Sequence, residues 1–175
     1  AIIDTAKTLF MKHGMRRITV EEICREASVS KMTFYRLFTN KEDVAEIIIF
    51  EINDKVMVKY HEIMNQQISY VEKIQQIIEL EHTSVSEISE EFINDIFQSE
   101  NEVFIDHLTK MRKNANEQYL KGFIEAQKNG DVRKDIQPEF ILYILEVLYE
   151  KMKDEKLLGL YKNTHDANME ITKFF

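Results

Sequence analysis

Apolar residues recur at the spacing of a single helical face from the start of the chain. Ile2, Ile3, Ala6, Leu9 and Phe10 fall three or four apart or side by side, which stacks them on one side of a helix. Gly14 stands where a C-terminal cap is expected. Thr19 and Glu22 then form a capping box, in which the hydroxyl and the carboxylate each satisfy an orphan backbone N–H. Val20, Ile23, Cys24 and Ala27 make the buried stripe of a short second helix. After Ser28 and Val29, Ser30 is a favourable cap for a third helix, with Phe34, Leu37 and Phe38 on its inner side. Asn40 with Asp43, or Thr39 with Glu42, opens a long fourth helix whose apolar positions include Val44, Ile47, Ile48, Ile52, Val56, Tyr60 and Ile63. That helix is long enough to join an N-terminal head to the rest of the chain.

The same device punctuates the remainder of the chain. Ser69 with Glu72, Ser84 with Glu87 and Ser99 with Glu102 each predict a helix start. The third of these helices runs to Asn129 and stops at Gly130. Residues 131–137 then form a polar loop, and Pro138 supplies a good first helical residue. From Phe140 to Tyr149 nine of ten residues are apolar, with only Glu146 interrupting. A helix apolar on every side has to be covered on every side. In a chain this small the expected covers are its own core and a second subunit. A last helix is expected from about residue 163, ending on Phe174 and Phe175 as if the natural chain continued. There is no internal repeat and no low-complexity tract.

With one Pro, four Gly, 44% hydrophobic and 31% charged residues, the composition fits an all-α globular protein and argues against sandwiches, barrels and disorder. The 175 residues accommodate a small module joined to a larger one. The net charge of −8 is unevenly spread: residues 1–41 carry eight Lys/Arg against four Asp/Glu, so the acidic excess lies in the remainder. Cys24 is the single cysteine, which excludes an intrachain disulfide and a cysteine-based zinc cluster, and a reducing cytoplasm fits best. The longest apolar run, residues 140–145, falls far short of the roughly 20 residues needed to cross a bilayer. No signal peptide and no membrane partner are expected, although the chain begins at Ala1 without a Met.

The chemistry is concentrated in residues 19–41. Two short helices joined by a tight turn, with Val29 as the apolar wedge, make a helix-turn-helix whose second helix can enter a major groove. With Phe34, Leu37 and Phe38 inward, Lys31, Met32, Thr33, Tyr35 and Arg36 face outward. On DNA, Arg36 can donate a bidentate pair to guanine, Thr33 can bond a base edge or phosphate, and Met32 can lie against a thymine methyl. Tyr35, Lys31 and Lys41 suit phosphates, Lys41 at a helix start where backbone N–H groups also favour anions.

At these residues the chain resembles the N-terminal domain of the TetR family of bacterial repressors. Phe10, Gly14, Thr19, Ile23, Ala27, Val29, Ser30, Lys31, Thr33, Tyr35, Phe38, Lys41 and Glu42 match that family's pattern position by position. The resemblance implies that Thr19, Ser30, Thr33, Tyr35 and Lys41 contact the DNA backbone and that Met32 and Arg36 sit near bases. Ser28 stands where the family usually has Gly, at a turn position whose left-handed conformation costs a non-Gly residue roughly 1 kcal/mol. Met32 likewise replaces a frequent Gly. Beyond residue 50 the likeness is architectural. In the family the last two helices pack against their twins, which agrees with the cover that the all-round apolar helix requires. Phe140, Ile141, Ile144, Leu145, Leu148, Ile171, Phe174 and Phe175 are the expected dimer contacts.

The expected organisation is therefore a three-helix DNA-binding head, residues 1–45, and a helical ligand-binding and dimerisation body, residues 46–175. The expected function is that of a homodimeric repressor on a palindromic, double-stranded DNA operator, released by a small lipophilic ligand. Its acidic, aromatic-rich body leans toward a lipophilic cation over an anion such as an acyl thioester. Tyr60, Met64, Phe92, Phe97, Phe104, His107, Met111, Tyr119, Phe123 and Tyr143 are the pocket candidates. Singly, each is ordinary core filler; as a set they make an adaptable apolar pocket. Glu79 and His82 have the Glu-x-x-His spacing of di-iron bundles, but one copy is too few. No Gly-rich phosphate loop, catalytic Ser/His/Asp order or reactive-cysteine signature occurs, so no enzyme activity, metal or cofactor is expected. The alternatives are a helical-bundle enzyme or metal carrier and a DNA-binding dimer with no ligand.

Overall fold

The computed structural model describes residues 1–86, 88–151, 154–162, 166–167 and 170, and the side chains of these except 81, 85, 86, 145 and 149. Among the described residues the regular elements are all helices: α1 (Ile2–His13), α2 (Val20–Glu26), α3 (Lys31–Leu37), α4 (Lys41–Met64), α5 (Tyr70–Ser86), α6 (Glu90–Phe97), α7 (Glu102–Asn129), α8 (Pro138–Lys151) and α9 (Glu155–Leu158). No described helix is long and apolar enough to cross a membrane.

The chain forms two compact units, one of residues 1–54 with 85–109 and the other of residues 55–84 with 110–175. The division falls within α4 and within α7. Residues 1–45, the expected reading head, lie wholly in the first unit.

That unit is built on the apolar face of α1. Ala6 and Phe10 are fully buried with Ile23, Phe34, Val44, Ala45, Ile48 and Phe92. The Phe10 and Phe92 rings lie 5.7 Å apart, which ties α1 to α6, and the Ser89 hydroxyl reaches the Phe10 carbonyl at 3.4 Å. Phe92 and Phe104 serve this core.

The helix starts at Thr19, Ser30, Asn40 and Ser69 fall where the capping residues predict. Two others move. Ser84 lies inside α5, where the helical ladder continues unbroken and leaves no extended residue to act as a cap. The next start is Ser89, extended at φ −65°, ψ 148°, with its hydroxyl accepting from the Phe92 N–H. α7 begins on Asn101, whose Oδ1 accepts from the Phe104 N–H at 3.1 Å. Ser99 instead takes the Asn101 N–H at 3.3 Å. Asn caps as well as Ser, and its choice sets Phe104 into the core. At the far end α7 stops at Gly130, φ 87°, and Pro138 opens α8, as the sequence predicts.

In the second unit Tyr60 is buried, its ring 4.8 Å from that of Tyr119 and its hydroxyl donating to the Gln118 carbonyl at 3.3 Å. Burial pushes the Tyr60 hydroxyl up to about 12. α9, capped by Asp154, is a short turn that the apolar pattern does not announce. The last helix expected from about 163, with Ile171, Phe174 and Phe175, lies largely outside the described residues.

Candidate nucleic-acid interface

The turn between α2 and α3 is a Schellman motif. The Ser28 N–H donates to Arg25 O at 3.2 Å and the Val29 N–H to Cys24 O at 2.9 Å, which is how a helix closes through a left-handed residue. That residue is Ser28, at φ 55°, the position where the resemblance placed a Gly. Cys24 is buried at the inner side of this turn, and burial pushes its thiol up, so it is a packing residue and not a nucleophile.

Both helices of the pair are capped in full. The Thr19 hydroxyl accepts from the Glu22 N–H at 3.2 Å, while the Glu22 carboxylate accepts from the Thr19 N–H and hydroxyl at 2.8 and 2.9 Å. Those bonds hold the Glu22 carboxyl below the ordinary range. The Ser30 hydroxyl accepts from the Thr33 N–H at 3.1 Å and meets the Thr33 hydroxyl at 3.0 Å.

α3 presents one face to solvent. Phe34 is fully buried, whereas Met32 is 83% exposed and Lys31, Tyr35 and Arg36 are exposed beside it. Arg36 pairs with no described residue. Lys31 is ion-paired with Glu21, which holds the Glu21 carboxyl below its usual value, so a phosphate must compete with that carboxylate. Leu37 departs from its expected inward position: it is 60% exposed. The reason is the end of the helix, because Phe38 turns extended at φ −137°, ψ 141° and lays its ring 5.4 Å from Phe34. That place in the core is then filled.

Lys41 is placed differently from a free phosphate ligand. Its Nζ donates to the carbonyls of Met15, Arg16 and Ile18 at 2.8, 3.0 and 2.9 Å. The same loop is held from α6. The Arg16 N–H donates to the Asp95 carboxylate at 2.7 Å and the Arg16 guanidinium to the Gln98 side-chain oxygen at 2.9 Å. Apolar periodicity carries no trace of Asp95, a polar position of α6, or of Gln98, the residue that caps its C-terminus; only the fold brings them to the loop.

The pocket candidates divide between the units. Phe92, Phe97, Phe104 and His107 belong to the first, and Tyr60, Met64, Met111, Tyr119, Phe123 and Tyr143 to the second. His107 Nδ1 lies 2.7 Å from Glu46 Oε1, and Tyr143 is 61% exposed. The second unit contains a cavity of about 720 Å³ that includes Tyr60 and Met64. Most of its lining is polar, with His61, Lys73, Gln118, Lys121 and Asn129 among the contributors, where the sequence led to an apolar pocket. Glu79 and His82 are both exposed.

Residues 2–48 match the family model of the bacterial regulatory proteins, tetR family. Over 152 residues the chain is 27% identical to the HTH-type transcriptional repressor KstR2 of Rhodococcus jostii (strain RHA1), covering 82% of this chain and 72% of that protein. Among solved structures, a transcriptional regulator from Cytophaga hutchinsonii superposes with a TM-score of 0.73 at 15% identity, covering 99% of this chain and 91% of that one. The regulator FadR from Bacillus subtilis, in complex with stearoyl-CoA, does so at 0.70 and 15%, covering 98% and 93%. At these identities the structural likeness speaks for the fold.

Proposed function

We propose that the chain, whose residues 2–48 match the family model of the bacterial regulatory proteins, tetR family, is a transcriptional regulator of that family and acts as a cytoplasmic repressor. It binds a palindromic operator as a homodimer and leaves it when a small ligand occupies the body. The observation that carries this reading is the solvent face of α3: Met32, Tyr35 and an Arg36 that pairs with no described residue, held outward by a helix-turn-helix capped at both helix starts.

In this reading Arg36 and Met32 read base edges, and Thr19, Ser30, Lys31, Thr33 and Tyr35 set the register on phosphates. Residues 1–45 are the reading head and 46–175 the regulatory and dimerisation part. The homodimer is supported by α8, none of whose described side chains is fully buried in the single chain, with Phe140 at 54% and Tyr143 at 61% exposure. An apolar helix left in that condition calls for a second copy as its cover. Ile141, Ile144 and Leu148 are half-buried on the same helix; the Leu145 side chain lies outside the described ones.

The ligand site is the cavity at Tyr60 and Met64. A lipophilic ligand there must also form hydrogen bonds, because most of the groups around it are polar and would lose water without replacement. Release follows if the ligand changes the separation of the two recognition helices, since half-sites face one side of DNA only at about 34–36 Å or a multiple of it. The test is operator binding by the full chain to DNA from its own promoter region, followed by a thermal-shift and release screen covering lipophilic cations and acyl thioesters. Arg36→Ala is expected to lower discrimination at one base pair by about 1–3 kcal/mol. Unchanged base preference in that variant would remove the α3 face from the reading.

A further inference from the structure

We infer that Lys41 and Asp95 are positioning residues of the reading head. Together they set the loop between α1 and α2, which carries the Thr19 cap of the helix-turn-helix, and neither side chain bonds to DNA. The inference rests on the DNA-reading role proposed above.

An ammonium group has three N–H donors and no acceptor. In Lys41 all three donors are placed, on the carbonyls of Met15, Arg16 and Ile18 at 2.8, 3.0 and 2.9 Å. Two of these bonds are part-buried. Turning the ammonium toward a phosphate would leave those loop carbonyls without their donor. On the α6 side, the Asp95 carboxylate holds the Arg16 N–H at 2.7 Å, and the same oxygen packs against Gly14. A carboxylate cannot serve as a phosphate ligand, so any contribution of Asp95 to DNA binding has to pass through the loop. Lys41 from α4 and Asp95 from α6 thus hold opposite polar groups of one segment, the carbonyl and the N–H of Arg16 among them. The loop in turn ends at Thr19, whose side chain starts α2.

The experiment measures operator affinity over a salt series for the full-length wild type and four variants. Lys41→Gln and Asp95→Ala are both expected to weaken binding on the order of tenfold at every salt concentration. The slope of log K against log salt should stay at the wild-type value. The Asp95→Ala result is the sharper one, because removing a negative charge should by itself strengthen binding to a polyanion. Asp95→Asn keeps an acceptor oxygen and is expected to recover most of the affinity. Lys41→Arg keeps the charge but not three converging donors, so it should bind as weakly as Lys41→Gln. A slope lowered by about 0.9 in Lys41→Gln, wild-type affinity in Lys41→Arg, or unimpaired binding by Asp95→Ala would each overturn the assignment. A measurement independent of variant folding uses wild-type protein without DNA. Nitrogen-edited NMR should find the Lys41 ammonium protons protected from exchange, and exchange as fast as that of surface lysines would also overturn it. Failure of the wild type to bind its promoter DNA would instead count against the repressor reading, a result separate from all of these.

Discussion

Ser28 is the one non-glycine residue at positive φ among the described residues. A left-handed conformation costs an L residue roughly 1–2 kcal/mol, and Ser28 adopts one at φ 55° because the Schellman closure of α2 demands it. Replacing it with Gly removes that strain but adds unfolded-state freedom worth about 0.4–1 kcal/mol. The strain is the larger quantity. Ser28→Gly is therefore expected to stabilise the protein by up to about 1 kcal/mol, a rise of about 2–4 °C in melting temperature for a chain of this size. Calorimetry checks it, and a fall in melting temperature would mean that the Ser28 side chain contributes a contact beyond those seen. This position was legible only through the family resemblance, which has a Gly at the turn; the apolar pattern by itself says nothing of its φ. Leu37 was not legible: its outward position depends on where α3 ends and on Phe38 taking the inner place.

Among the elements, the junction of α1 with α6 leaves no room for a side chain at Gly14. Gly14 ends α1 at φ 78°, ψ 161°, a region open essentially to glycine alone. A Cβ there would stand 2.7 Å from Asp95 Oδ2 and 3.0 Å from Glu91 Cβ. Gly14→Ala combines backbone strain of about 1–3 kcal/mol with displacement of α6. It is expected to lower stability by at least about 2 kcal/mol in chemical denaturation, and to weaken operator binding through the same loop that Lys41 and Asp95 hold. A variant as stable as the wild type would show that α6 gives way freely. The sequence predicts Gly14 as a cap. It does not predict the close approach, since α6 lies some eighty residues further along the chain, as the Arg16–Gln98 bond shows. Helix starts show the same division: the capping boxes at Thr19 and Ser69 are local and were readable, whereas the choice of Ser89 over Ser84 depends on how far α5 continues.

At the scale of the whole molecule, the proposed homodimer places a second copy over the apolar helix α8. Phe140 is 54% exposed in the single chain, and a carboxylate in its place would be buried without a partner in a dimer. Phe140→Glu is expected to weaken self-association at least about tenfold, or 1.4 kcal/mol, in sedimentation experiments, and to reduce operator affinity with it, because two half-sites need two heads. A dimer of wild-type strength would move the interface elsewhere. The cavity is a property of this same scale. Tyr60 and Met64 were candidates from their helical spacing, but Phe92 and Phe104 went to the core of the first unit, and the lining proved mostly polar.

The sequence by itself determined the helical class, the helix-turn-helix, its caps and the outward face of α3, because each depends on neighbours within a few positions. Tertiary structure decided which apolar residues are core, that Leu37 is exposed, and that Lys41 and Asp95 hold one loop between them. The physical reason is range: periodicity and capping are satisfied within a turn or two of chain. A loop carbonyl, an ammonium on α4 and a carboxylate on α6 meet only after the core has brought them together.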